Sequence, residues 1–275
     1  MTTASPDAWL LDTDIQIHRL AIDSGLRTAA EAKRVARTPV AVTAYSLLEF
    51  KGNYIADLIL LQRKVKDSAD IEEVFARVAA SGNRKHALMV AQLVKLARAI
   101  GFNFAAPVSD WPQAQGAMLT LIDGEITSVW HWFKSSVDRF VDDLDCTRAT
   151  EHPFQDRGGW VNERPHCTTK NTKCRIVQLF KDNDVALRAL LAALKSAGAI
   201  TKELTDIVEV LEAAAKLGSV QWEGRTCRAI GDLLIGLHAP PRQGLVTSNS
   251  AEHSSIAPAL QYNVDLLTVG GTRLI

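Results

Sequence analysis

Short apolar runs alternate along the chain with longer amphipathic stretches, and each run closes on a residue that can carry chemistry. Trp9-Leu10-Leu11 ends at Asp12, Val40-Ala41-Val42 at Thr43, and Gly244-Leu245-Val246 at Thr247. Runs this short and this apolar read as strands buried on both faces, and strands alternating with helices predict a parallel sheet. The fold class expected is therefore α/β, a mostly parallel central sheet flanked by helices. A further strand is expected at Arg175–Phe180 and a last one near Val264–Val269.

Helical spacing fills the intervals. Ile15 to Ile22 and Thr28 to Arg37 follow the first run, and Ser46 to Phe50 follows the second. Tyr54 to Ile100 carries apolar residues at helical spacing, broken at Ser81-Gly82-Asn83. Leu187, Leu190, Leu191 and Leu194 share one helix face, ended at Gly198. Leu204, Ile207, Val208 and Leu211 share another, ended at Gly218, and a last helix is expected from Cys227 to His238. Between 101 and 174 prolines, paired glycines and Trp111, Trp130, Trp132 and Trp160 accumulate around one expected helix, Ile126–Leu144. The organisation expected is an α/β domain of 6–100 and 175–270, with 101–174 as an irregular and helical insertion or lid.

Composition excludes some classes. Lys+Arg and Asp+Glu both number 31, so net charge argues neither for nor against a nucleic-acid partner. No secretory leader pattern and no long apolar span is present, which predicts a cytoplasmic protein with no membrane partner. Four cysteines, unevenly spaced, do not make the disulfide framework of a small secreted scaffold. No Gly-rich phosphate loop follows a strand, and no cysteine pairs recognisably with a histidine and an acid.

The acids are the informative residues. Asp12 and Asp14 follow the first strand, Glu49 lies one turn into the helix after the second, and Asp232 interrupts the apolar segment Ile230–Leu237. Parallel sheets collect their ligands outside the carboxyl ends of the strands. An unpaired carboxylate in an apolar helix costs several kcal/mol unless something compensates it, so Asp232 points to a site more strongly than the others. Asp12 and Asp14 have a plainer use as helix caps, and Glu49 as an exposed helix position.

At these segments a resemblance becomes specific. Leu10-Leu11-Asp12-Thr13-Asp14-Ile15 resembles the opening strand of PIN-domain nucleases. Thr43-Ala44-Tyr45-Ser46-Leu47-Leu48-Glu49-Phe50 is similar to that family's second acidic segment, and Gly231–Ala239 followed by Gly244–Asn249 to its third acidic helix and the strand after it. The matching segments run from residue 9 to about 270 in the family's order, with no counterpart for 101–175. The resemblance implies a metal-dependent phosphodiesterase, a ribonuclease in which carboxylates bind Mg²⁺ or Mn²⁺ and activate water. Asp12, Glu49 and Asp232 would be its metal ligands, and Asn249 would join them at the catalytic centre. It also implies RNA, single-stranded or structured, as substrate, and an antitoxin-like or regulatory protein as partner; a homodimer stays open. Asn249 stands where the family usually has a fourth acid, with Glu252 three residues on, so the alternative is a catalytically degenerate module that binds nucleic acid or protein.

A second cluster, Cys146, His152, His166, Cys167 and Cys174, has the ligand types for zinc but not the paired spacing. The tryptophans of 101–174 can stack bases or fill a local core, and the shortage of aliphatic residues there favours the core.

Overall fold

A computed structural model describes residues 8–21, 23–80, 85–101, 110–142, 144–156, 159–162, 174–197, 201–217, 224–239, 244–269 and 272–273. In chain order, β1 (Trp9–Leu11) leads to α1 (Thr13–Arg19), α2 (Ser24–Ala36), β2 (Val40–Thr43) and α3 (Ala44–Phe50). A π-helical turn at Lys51–Ile55 precedes α4 (Ala56–Lys66), α5 (Ile71–Ala79), α6 (Lys85–Ala99) and the long α7 (Trp111–Ser135). Next come β3 (Arg139–Val141), α8 (Thr147–Thr150) and a hairpin of β4 (Phe154–Asp156) and β5 (Gly159–Val161). The remainder is α9 (Ile176–Asp182), α10 (Asp184–Ser196), α11 (Lys202–Leu217), α12 (Gly224–Ala229), α13 (Gly231–Gly236), β6 (Gly244–Thr247), α14 (Ser250–Leu260) and β7 (Asn263–Leu266). A hairpin of β8 (Thr268–Val269) and β9 (Thr272–Arg273) follows.

The chain divides into two compact units. The first comprises 1–49, 136–151 and 163–275; the second, 50–135 and 152–162. The first holds a five-stranded sheet in the order β3-β2-β1-β6-β7, parallel throughout. Leu10 pairs with Ala41 on one side and Leu245 on the other, so β1 is central. Leu10, Leu11, Val40, Ala41, Val42, Leu245 and Val246 are all buried, as expected for a parallel sheet covered on both faces. Leu187, Leu190 and Leu194 of α10, Leu204, Ile207 and Leu211 of α11, and Leu233, Leu234 and Ile235 of α13 join its core. The chain leaves β1 toward β2 and β3, then crosses back to β6 and β7. The strand order therefore reverses between β1 and β6, the place where open parallel sheets collect their ligands beyond the carboxyl ends of the strands.

Trp9 shows how closely β1 and β6 are fitted. A Cβ on Gly244 would stand 1.8 Å from the Trp9 ring, whose face is covered by the Arg37 guanidinium 4.4 Å from its centroid. Gly244→Ala must therefore displace an indole held on its other side. Overpacking of this kind costs about 1–3 kcal/mol, so the melting temperature should fall by several degrees. An unchanged melting temperature would show that Trp9 moves aside freely.

The second unit packs α4 to α7 with the β4–β5 hairpin. Met118, Ile122, Ile126, Val129, Trp130 and Phe133 line the buried face of α7, and Pro112 sits in its first turn, where a missing N–H is harmless. Trp130 and Trp160 are buried, so these two indoles serve a local core. Among the described residues no helix is long and apolar enough to cross a membrane.

Several expectations need correction. Arg175–Phe180 is not a strand: Ile176 and Phe180, four apart, are buried while Val177 is 40% exposed, the pattern of helix α9. The helix expected at Ile126–Leu144 starts earlier, at Trp111, and stops at Ser135. The expected insertion 101–174 is not the unit that separates, and Arg139–Val141 from within it forms an edge strand of the sheet. Asp138 causes this: its N–H donates to the Val40 carbonyl at 3.0 Å and its carboxylate accepts from the Val40 N–H at 2.7 Å, docking β3 beside β2. The helix expected from Cys227 to His238 is interrupted at Ile230 into α12 and α13. The expected breaks at Ser81-Gly82-Asn83, Gly198 and Gly218 lie outside the described residues.

Candidate metal centre and acidic site

Asp12 leaves β1 in extended conformation, its N–H still bonded to the Val246 carbonyl at 2.9 Å, and caps α1. One oxygen accepts from the Thr13 N–H at 2.6 Å. The other accepts from the Thr247 hydroxyl at 2.6 Å, where β6 ends. The helix-cap reading and the site reading of Asp12 are thus both realised, one per oxygen. Asp14 accepts from the Ser248 N–H at 2.7 Å and also from the Ser248 hydroxyl, tying α1 to the loop after β6; its Oδ1 is buried without a partner.

Glu49 is set by the start of α3, where the Thr43 hydroxyl accepts from the Ser46 N–H at 2.9 Å. Its Oε2 accepts from the Thr13 hydroxyl at 2.7 Å. A Cβ on Gly231 would fall 2.6 Å from Glu49 Oε1 and 2.9 Å from the Tyr45 hydroxyl. The glycine before Asp232 therefore lets α3 and α13 approach closely. Asp232, half-buried at the start of α13, faces the Asn249 amide, whose Nδ2 lies 3.4 Å from Oδ2. Asn249 caps nothing with its side chain, although it precedes α14.

His253 completes the cluster, and sequence reasoning missed it. It lies on α14, fully buried, with Nδ1 2.9 Å from the Tyr262 hydroxyl. Its Nε2 stands 3.4 Å from Asp12 Oδ2 and 3.5 Å from Asp232 Oδ1, without a hydrogen bond to either. One ligand atom from each of Asp12, Asp232 and His253 lies within 4.8 Å of the others, and no other such metal-competent group occurs among the described residues. The signal was present: His253 is four residues after Asn249, on the same side of the helix that Asn249 begins. Glu252, the neighbouring acid, is instead within 3.5 Å of the Thr201 hydroxyl.

Electrostatics reflect the crowding of acids. Burial, then the charges of Asp12 and Asp232, push Glu49 up to about 8. Burial, then Asp12, push Asp14 up to about 7, against the Ser248 donors. Burial opposes ionisation of Asp12 too, but the His253 side chain and the Thr247 and Thr13 donors outweigh it and hold Asp12 below the ordinary aspartate value. His253 is the converse case: burial lowers it, and the two carboxylates more than reverse that, leaving it well above the ordinary histidine value. At neutral pH the metal-free site holds protons that a cation could replace.

Of the residues singled out from sequence, Asp12, Asp232 and Asn249 meet around His253. Glu49 adjoins them through Thr13 and through charge, but is not one of the three closely grouped ligand types. The cysteine-histidine cluster does not form a centre among the described residues. Cys146 and Cys174 are half-buried against the core of the first unit, while His152 lies in the second beside Trp130 and His131. His166 and Cys167 lie outside the described residues. The chain matches no protein-family model, no curated protein and no solved structure.

Proposed function

We propose that the chain is a metal-dependent phosphodiesterase, a PIN-like ribonuclease whose acidic cluster activates water against RNA. One observation carries this reading: acids from residues 12, 14, 49 and 232, drawn from across most of the chain, converge at the carboxyl ends of β1 and β6, where the strand order reverses. No stability argument favours such crowding, since two of these carboxyls are driven to about 7 and about 8 by burial and by one another. Buried polar atoms without hydrogen-bond partners, Asp14 Oδ1 and His253 Nε2, suit an added cation.

Asp12, Asp232 and His253 would hold the ion, with Glu49 beside them. Bound Mg²⁺ or Mn²⁺ lowers the pKa of water and neutralises charge on the leaving oxygen. The chain's own residues supply the rest. Glu49 keeps its proton at neutral pH in the metal-free site; a cation beside it would displace that proton, and the freed carboxylate can then take one from an attacking water. Thr247 and the Thr13 N–H fix both oxygens of Asp12, and the Asn249 amide can donate to a phosphate oxygen at the mouth of the site.

Asn249 favours a second reading, a degenerate module that binds RNA or a regulatory protein without cutting. Single-stranded RNA incubated with the protein and Mn²⁺ separates the two. Cleavage should disappear with chelator and fall on the order of 10²–10³-fold in Asp12→Asn. RNA bound but uncut would favour the degenerate module; metal-independent cleavage, or neither binding nor cleavage, would overturn the nuclease reading.

A further inference from the structure

We infer that His253 is a metal ligand, and that with Asp12 and Asp232 it selects an imidazole-binding transition ion such as Zn²⁺ or Co²⁺ over Mg²⁺. This rests on the metal-dependent reading above and narrows it. The spacing is the first support. An N–H···O hydrogen bond spans about 2.7–3.2 Å, and His253 Nε2 stands farther than that, 3.4 and 3.5 Å, from the carboxylate oxygens of Asp12 and Asp232. Ligands about 2.0–2.1 Å from a tetrahedral ion are separated by roughly 3.3–3.4 Å, close to these values.

The surroundings are the second support. His253 is fully buried, Nε2 has no hydrogen-bond partner, and the ring is aimed at two carboxylates. Its other nitrogen is held by the Tyr262 hydroxyl, and a Cβ on Gly236 would come within 2.9 Å of that hydroxyl, so α13 makes room for the support as well as supplying Asp232. Once an incoming cation displaces the Nε2 proton, a ring that donates Nδ1–H to Tyr262 presents the Nε2 lone pair a metal needs. A ligating histidine is usually oriented by such an outer partner.

Ligand chemistry then decides the ion. Mg²⁺ takes hard oxygens in near-octahedral geometry and keeps much of its water, whereas imidazole suits Zn²⁺, Co²⁺ and their neighbours. Two carboxylates and one imidazole leave a further position open on a tetrahedral ion, the arrangement of catalytic rather than structural sites.

Binding is measured on the full chain by competition titration with Zn²⁺, Co²⁺, Mn²⁺ and Mg²⁺. Pulsed EPR of the Mn²⁺ form, with and without ¹⁵N-histidine, provides a readout independent of activity. The expected result is Zn²⁺ bound at least about 100-fold tighter than Mg²⁺, with nitrogen coupling that changes on labelling. His253→Gln should lose on the order of 100-fold in Zn²⁺ affinity and Tyr262→Phe about tenfold, with Mg²⁺ affinity changed little. Mn²⁺ and Mg²⁺ bound equally, with no nitrogen coupling, would overturn the imidazole ligand and leave the nuclease reading standing. Failure of every ion to bind would overturn both. The labelled wild type decides the matter even if His253→Gln does not fold.

Discussion

Asp232→Asn should abolish metal-dependent RNA cleavage while the melting temperature holds or rises. Asp232 is half-buried at the head of α13, and its charge is one of the causes that drive Glu49 up to about 8. Removing it relieves a like-charge contact with Glu49 and weakens the hold on the His253 proton, two effects of opposite sign, and an asparagine of the same shape can keep the 3.4 Å approach of Asn249. The stability change should therefore lie within about 1 kcal/mol, whereas loss of a charged group at the reacting centre reduces turnover on the order of 10²–10³-fold or more. A structural partner behaves the opposite way: its loss lowers the melting temperature and leaves activity intact. Thermal unfolding with and without Mn²⁺, alongside cleavage, separates the cases. Mn²⁺ stabilisation that persists undiminished in Asp232→Asn would remove this residue from the metal centre.

The parts legible in sequence were those in which local pattern and tertiary environment agree. β1, β2 and β6 are short runs buried on both faces, so hydrophobicity alone marks them, and the acids that close or follow them are conspicuous. β3 was not legible, because Arg139–Val141 is a partly exposed edge whose pairing depends on Asp138 gripping Val40 from 98 residues away. Ile176–Asp182 misled for a related reason: its run is apolar enough for a strand, and only burial of Ile176 and Phe180 reveals the helical period. The division of the chain followed packing rather than composition. Proline and tryptophan density suggested a boundary near residue 101, but α4 to α7 pack together from residue 50 onward. At the site, attention to acids concealed His253, whose role depends on contacts with Asp12 and Asp232 that arise only when α14 folds back over β1 and α13.

The metal-free protein should become less stable as pH rises from 5 to 8.5. Glu49 and Asp14 have folded values of about 8 and about 7, against ordinary values of 4.5 and 3.8. Within that window the folded state keeps protons that the unfolded chain has released, so their contribution is complete below the ordinary values and lost as pH climbs through the folded ones. His253, raised well above 6.5, adds loss of the same sign at the upper end. Asp12 is lowered, so its stabilisation is present above 3.8 and is lost only on acidification, outside the window. Each tenfold difference in proton affinity between folded and unfolded chain corresponds to about 1.4 kcal/mol. The acids raise one another, and solvent at the mouth of the site screens them, so the combined loss should be on the order of 3–5 kcal/mol, or roughly 10 °C in melting temperature. Glu49→Gln and Asp14→Asn should each flatten the slope. A divalent ion should reverse it, because ligands must shed protons to bind metal and metal stabilisation therefore grows with pH. A melting temperature that stays flat or climbs over this range without metal would mean that the carboxyls are already ionised in the folded protein, and that the site does not hold the protons a cation is expected to displace.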